Sequence, residues 1–271
     1  MKEINECSKI EDETTDLRQG DIFVYNDDDG KEAYGIIITG DCDISQNKCN
    51  GLITTCRIYS AAYHIKNYIL KEKCKKQLKT LEERLKSQVN DCGDFEVNND
   101  DFFSDIILLS ADELKTRIKP EYTKVEDLIN KFAIYKQYMK QLSFCIDDYK
   151  RLYLSMNPMS DENWKKQSDN IRNDIANSFK KLAGDLFYIN QIPELDDIGF
   201  VVHLRQISTF KKTAFFLDSH KNKEIFRIAH LNTPYIHSLT QRVGAMFSDI
   251  GLSEEYESNR QEILTKLVKS I

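Results

Sequence analysis

Proline and glycine are scarce, at four and ten residues in a chain of 271, which excludes a collagen-like, linker-dominated or low-complexity chain. No apolar run reaches roughly 18 residues, the length a membrane helix needs, so no membrane span is expected. The first residues, MKEINECSKIEDETTD, are polar and acidic, the wrong chemistry for a secretory or transit peptide, and a cytoplasmic location is the expectation. Catalytic signatures are missing as well. There is no Gly-rich phosphate loop, Walker pattern, GxSxG, HExxH or deaminase HxE…PCxxC, and the enzyme classes built on them are disfavoured. The seven cysteines include Cys42, Cys49 and Cys56 at a spacing of seven, yet no CxxC or HxxxH pair accompanies them. Structural zinc sites bring two such pairs, so neither a metal nor another cofactor is expected. An odd cysteine count without a secretion signal fits reduced thiols, with Cys56, Cys74 and Cys145 as small buried hydrophobes.

What is present is apolar content of 41% and 30% charged residues, enough to build a real core in one large domain or two small ones. Residues 1–17 hold six acidic side chains and little periodicity and read as a frayed acidic arm. GDIFVYN (20–26) alternates as a strand, DDDGKE (27–32) carries an Asp-Gly hairpin signature, and YGIIITG (34–40) reads as a buried strand. GDCDISQNKCNG (40–51) reads as a loop and LITTCRIY (52–59) as a third strand. From Ile65 to Val89 the apolar steps are mostly three and four, which predicts a helix; further helices are predicted over 125–156 and 161–184. The last of these opens on Ser160 followed by Asp161, Glu162 and Asn163, a good start signal. Strand patterns return at 186–192, 200–208, 213–218 and 224–231, with SHKNK (219–223) as a hairpin loop, and helices are expected over 233–250 and 253–270.

The expected fold class is therefore α+β. Residues 18–60 and 185–231 form a small β-barrel, a helical insertion occupies 61–184, and C-terminal helices occupy 232–271. Three apolar stripes in the insertion need one another for burial, which a helical hairpin or small bundle supplies. That unit is the expected docking surface for a protein partner or a second copy.

Charge is distributed unevenly. The net charge is −6, but residues 203–242 hold Arg205, Lys211, Lys212, Lys221, Lys223, Arg227 and Arg242 against only Asp218 and Glu224. Four of the five histidines (His203, His220, His230 and His237) lie there too. A locally basic stretch in an acidic protein is where a phosphate or RNA is expected to settle, with Lys211, Lys212, Lys221, Lys223 and Arg242 as contacts. Phe210, Phe215, Phe216 and Phe226 are interleaved, either as stacking faces or as core. His203 and Arg205 alternate on one strand and so share a face; His230 and Arg227 sit three apart. On a concave surface the His would act as general acid/base and the Arg as phosphate clamp. Asp41, Cys42 and Asp43 follow a buried strand. They admit a metal site, a thiol nucleophile or a simple turn cap, and flanking carboxylates disfavour the thiolate.

The opening QGDIFVYNDDDGKEAYGIIITGDCDIS, through Gly20, Asp21, Ile22 and Ile36–Thr39, resembles the start of MazF/PemK-type toxin barrels; FVVHLRQISTF (200–210) resembles a later strand of that family. Together these cover about 60 residues. The resemblance implies an SH3-like barrel, metal-independent cleavage of single-stranded RNA and an antitoxin partner. It also implies an Arg in the first hairpin loop and a polar partner on the next strand, a position Thr54 or Thr55 can occupy. The loop here holds Asp27, Asp28, Asp29, Lys31 and Glu32 and no Arg. Negative charge developing at phosphorus needs a fixed cation, and three Asp repel it. The GDCDIS segment and the ending FRIAHLNTPYIHSLTQRVGAMFSDIGL look similar to proteins of bacterial mobile and phage-defence islands. Two expectations follow. One is a partner-binding module of a stress or phage-defence system that contacts nucleic acid through 203–242. The other is a divergent endoribonuclease in which Arg205, Arg227, His203 and Thr54 carry the chemistry.

Overall fold

The computed structural model describes residues 5–12, 15–91, 123–140, 146–216 and 225–248, with Glu262, Ile263 and Thr265. Within these the chain is mixed helix and sheet, divided into two compact units: Met1–Ala61 with Phe179–Ile271, and Ala62–Ser178.

The first unit is built on a curled, half-barrel antiparallel sheet. Its strands are β1 (Cys7–Lys9), β2 (Asp21–Asn26), β3 (Glu32–Ile37), β4 (Leu52–Ser60), β5 (Leu186–Ile189), β6 (Phe200–Lys211) and β7 (Ile225–Leu231), in the order β1-β7-β2-β3-β4-β6-β5. Both faces are covered at the middle of the sheet. Ile22 and Phe23 are neighbours that point to opposite faces, and each is fully buried in a different apolar cluster. One cluster gathers Ile36, Cys56, Ile58, Val202 and Leu204 under helix α7 (Tyr235–Ser248), whose Leu239 and Met246 pack into it. Gly20 permits this seating. Its φ is +90°, and a Cβ there would lie 2.7 Å from the Ile236 side chain of α7. The other cluster gathers Phe23, Ile37, Ile53 and Phe215 with Ile44 of a short helix α1 (Asp41–Ser45).

Several expectations are corrected here. The described part of the acidic arm, residues 5–12 and 15–17, is not frayed. Cys7–Lys9 pairs with Leu231–Ala229, and Cys7 and Leu17 are buried, because β7 offers an open edge and the core a place for a thiol. Residues 40–51 are not all loop, since Asp41–Ser45 close a turn of helix that buries Ile44. The described part of TAFFLD does not form a strand: Lys212–Phe215 is a 3₁₀ turn that drops Phe215 edge-on against Phe23, 5.1 Å between ring centroids. Burial of one aromatic there overrides strand propensity.

The two edges of the sheet are joined through side chains. Glu6, just before β1, accepts the Asn190 backbone N–H at 2.6 Å and the Asn190 side-chain amide, just beyond β5. Lys9 and Glu194 pair at 2.7 Å. The curl is thus clasped by a carboxylate where the order of the strands ends.

The second unit is helical. Its elements are α2 (Ala61–His64), a π turn at Ile65–Leu70, α3 (Lys71–Asp91), α4 (Thr123–Lys140), α5 (Ile146–Met156) and α6 (Asp161–Lys180). Of the stripe expected as one helix over 125–156, α4 and α5 are helical and residues 141–145 lie outside the described residues. Its core is Leu70, Cys74, Leu81, Phe132, Tyr135, Tyr149, Leu152 and Ile171. Tyr135 donates to Gln77 Oε1 at 2.6 Å, which satisfies its buried hydroxyl. Ser160 caps α6 as expected, its Oγ accepting the Asn163 N–H at 3.4 Å. The 92–114 segment, Cys145, SHKNK and most of 253–270 lie outside the described residues. No described helix is long and apolar enough to cross a membrane.

Candidate functional site

The residues singled out from sequence do not converge. Arg227 is buried, with a side chain 1% exposed. It pairs with Asp21 at 3.0 Å and donates to the carbonyls of Asp16 (3.1 Å) and Thr15 (2.5 Å). Asp21 also accepts the Arg18 N–H at 3.0 Å and lies 2.8 Å from His230 Nδ1. This is a packed structural knot, and it corrects the expectation of Arg227 as a phosphate clamp. A guanidinium closed off from solvent that donates to Asp21 and to two chain carbonyls is engaged by the fold.

His203 and Arg205 differ in setting. The β4–β6 register steps from Cys56↔Ile207 to Arg57↔His203, an irregularity that spans Leu204–Gln206. His203 turns inward at 7% exposure, while Arg205 is exposed and reaches Asp185 at 3.1 Å. Thr54 is engaged through its backbone: its N–H donates to Thr39 Oγ1 at 2.7 Å and its carbonyl accepts the Ile38 N–H at 2.9 Å. Of the expected phosphate contacts, Lys211 is exposed at the end of β6. Lys212 Nζ caps the Ile44 carbonyl at 3.0 Å, and Arg242 donates to the Leu186 carbonyl at 2.7 Å. Lys221 and Lys223 lie outside the described residues. Phe210 and Phe215 belong to the buried cluster, whereas Phe226 is 44% exposed.

In α1, Asp41 Oδ1 accepts the Gln19 N–H at 2.6 Å, and Cys42 is exposed with its Sγ 3.7 Å from Asp43. Asp41 acts as the tie between two chain segments, the plainest of the readings open to it. No group of metal-binding side chains occurs among the described residues.

The fold brings two of the expected residues, His203 and Phe210, together with others that the sequence pattern does not mark. Arg57, in the middle of β4, extends on the same face as Tyr25, Tyr59 and His203. Its guanidinium lies 5.2 Å from the centre of the Tyr25 ring and 5.5 Å from that of Tyr59. Nη1 donates to the Tyr25 hydroxyl at 2.5 Å and Nη2 to Asp27 at 3.2 Å. His203 is the backbone partner of Arg57 in the ladder, and its ring meets Tyr59 edge-on at 5.0 Å. Tyr59 donates to Gln206 at 2.7 Å, and Phe210 stands against Tyr25 at 5.0 Å. Burial opposes the charge on Arg57, but Tyr25, Tyr59 and Asp27 outweigh it and hold the guanidinium above its ordinary pKa. Only two of its N–H donors are engaged, and Nε is buried with no acceptor among the described residues. A guanidinium fork close to two tyrosine rings, with donors left over, suits phosphate or a base edge.

Asp27 belongs to this arrangement through the hairpin. Its Oδ1 accepts the N–H groups of Lys31 (2.9 Å) and Asp29 (3.2 Å). The Lys31 amide first, then Arg57, holds its carboxyl below the usual range. At least one of the acidic loop residues therefore serves the turn. The opposite face of the sheet has the reverse sign. A cleft of about 510 Å³ there is lined by Glu32, Glu194, Asp196 and Asp197 over Val24 and Ile228, and it repels polyanions. The one signal in the sequence for Arg57 was its place, a lone cation inside the apolar strand LITTCRIY. Comparison of this chain with protein-family models, with curated proteins and with solved structures finds no match.

Proposed function

We propose that this protein is a single-stranded nucleic-acid-binding module of a bacterial stress or phage-defence system. Its curled sheet is a MazF/PemK-like, SH3-like half-barrel, and the helical unit at 62–178 is an insertion that faces a protein partner. The observation that carries the reading is Arg57 held between Tyr25 and Tyr59 on a sheet face. Stacking of a base on an aromatic side chain contributes about 1–3 kcal/mol and tolerates any sequence. Neutralising one phosphate makes binding salt-dependent.

The test is fluorescence anisotropy of a labelled single-stranded RNA titrated at several salt concentrations. Arg57→Ala is expected to weaken binding about tenfold and to reduce the salt slope by about one. Salt-independent or absent binding refutes the proposal. Arg205→Ala serves as the control, because that side chain already pairs with Asp185.

The ladder pairing of Arg57 with His203 favours one second reading, a metal-independent endoribonuclease with His203 as acid/base and Arg57 as the cation. Cleavage of single-stranded RNA in the presence of a chelator, lost in His203→Gln while binding survives, would establish it. Binding without cleavage leaves the module reading alone.

A further inference from the structure

The helical unit contains a cleft of about 210 Å³ lined by Leu70, Tyr149, Lys150, Trp164, Ser168 and Ile171, with Arg172 and Ile175 at its margin. The sequence assembles it simply. Trp164, Ser168, Ile171 and Ile175 follow one another at steps of four, three and four on α6, so they share one face. Tyr149 and Lys150 come from α5, and Leu70 ends the π turn at Ile65–Leu70. Wide turns of that kind recur at functional sites.

Two polar groups there lack what a closed core would give them. The half-buried Lys150 ammonium stands over the Trp164 ring, 5.7 Å from its centre, and meets no carboxylate among the described residues. Tyr149 is 5% exposed, and its hydroxyl has no hydrogen-bond partner among the described residues. Burial first, then nearby Cys74, Tyr153 and Asp174, pushes that hydroxyl up to about 12, so it stays protonated and remains a donor. Leu70, Ile171, Ile175 and the indole supply an apolar floor. An apolar cavity of about 150 Å³ is sufficient for benzene, so this cleft has room for one ring and a short polar tail. Arg172 adds positive potential at the margin, although it is paired with Asp169 at 2.9 Å.

We propose that the cleft binds a small aromatic carboxylate, the ring against Leu70, Ile171 and Trp164 and the carboxylate at the Lys150 ammonium and the Tyr149 hydroxyl. This stands apart from the nucleic-acid reading and fails or succeeds without it. Trp164 is the single tryptophan of the chain, so its emission reports on the cleft alone.

The experiment titrates the full chain with phenylacetate and with its neutral isostere phenylacetamide, following Trp164 emission and, in parallel, ligand-observed saturation-transfer NMR. Saturable binding of phenylacetate, about tenfold tighter than phenylacetamide, is expected. Lys150→Gln should weaken phenylacetate about tenfold and bring the two ligands level, and Tyr149→Phe should weaken it severalfold. Ser168→Leu, which fills the cleft and leaves Lys150 in place, should abolish both. Unchanged far-UV circular dichroism shows that each variant is folded. Equal affinity for acid and amide, an unweakened Lys150→Gln, or no saturable response by either method overturns the proposal.

Discussion

Arg227→Met is the sharpest test of whether the arginines of this chain are structural or catalytic. The Arg227 and Asp21 side chains are 1% and 2% exposed and 3.0 Å apart, so the pair sits in a medium where an orphaned charge is costly. Removing the guanidinium leaves the Asp21 carboxylate with only the Arg18 N–H and His230, and it strips donors from the carbonyls of Thr15 and Asp16. Breaking a buried pair on one side costs about 3–5 kcal/mol. That is a large part of a typical stability of about 5–15 kcal/mol and corresponds to a fall of roughly 10 °C in Tm. Arg205→Met removes a pair whose side chains are 65% and 35% exposed, so the expected cost is under about 1 kcal/mol. Urea denaturation of the two variants beside the parent, followed by circular dichroism, reads the difference directly. The double variant Asp21→Asn, Arg227→Met should recover part of the loss, because the stranded charge is gone. The reasoning is refuted if Arg227→Met unfolds at the same urea concentration as Arg205→Met while losing RNA binding or cleavage. That result would mean the guanidinium reaches a ligand.

Other outcomes follow from the same packing. Burial pushes the thiols of Cys7 and Cys74 up to about 12 and that of Cys56 up to about 11, from an ordinary value near 9. Brief iodoacetamide treatment of the native protein near pH 8 should therefore label exposed Cys42 well ahead of these three, as peptide mass spectrometry will show. The same shifts favour the protonated thiol in the folded state. Their contribution to stability is full below about pH 9 and is lost as pH rises toward the folded values, so urea midpoints should fall above pH 9. Gly35→Ala places a Cβ 2.4 Å from the Phe23 ring, which is fully buried, and should cost about 1–3 kcal/mol in the same denaturation assay. Glu6→Ala removes the clasp between the sheet edges; hydrogen exchange should rise at Asn190 and along Cys7–Lys9 and stay unchanged in the β2–β3 hairpin, at a cost of about 1–3 kcal/mol.

Period and turn chemistry made most of the sheet readable. The β2–β3 hairpin is where alternation and Asp-Gly placed it, with Gly30 at φ +72° and Asp27 closing the turn. The α6 start at Ser160 was equally visible, because a cap is a local interaction written in adjacent residues. The misread segments were those decided by distant partners. Cys7–Lys9 is ordered by the free edge of a strand more than 200 residues away, and Phe215 turns inward because Phe23 and Phe210 wait there. No window of neighbouring residues contains that information.

The site was hidden for a related reason. Clustering along the chain pointed to residues 203–242, and clustering in the fold is a different quantity. A curled sheet places β2, β3, β4 and β6 side by side, so Tyr25, Arg57 and His203 become neighbours although they are scattered over the sequence. His203 pairs with Arg57 in the ladder and is buried, whereas Arg205 is exposed and pairs with Asp185. Three of the basic residues of 203–242 are consumed in holding the unit together: Arg227 at Asp21, Lys212 at α1 and Arg242 at β5. Charge spent on buried carboxylates and carbonyls is not available to a phosphate. Arg57, alone in an apolar strand, keeps donors beyond those it gives to Tyr25 and Asp27, and these two with Tyr59 offset the desolvation it suffers. An isolated charge in a buried strand was therefore a better guide to the candidate site than a run of charges in the sequence.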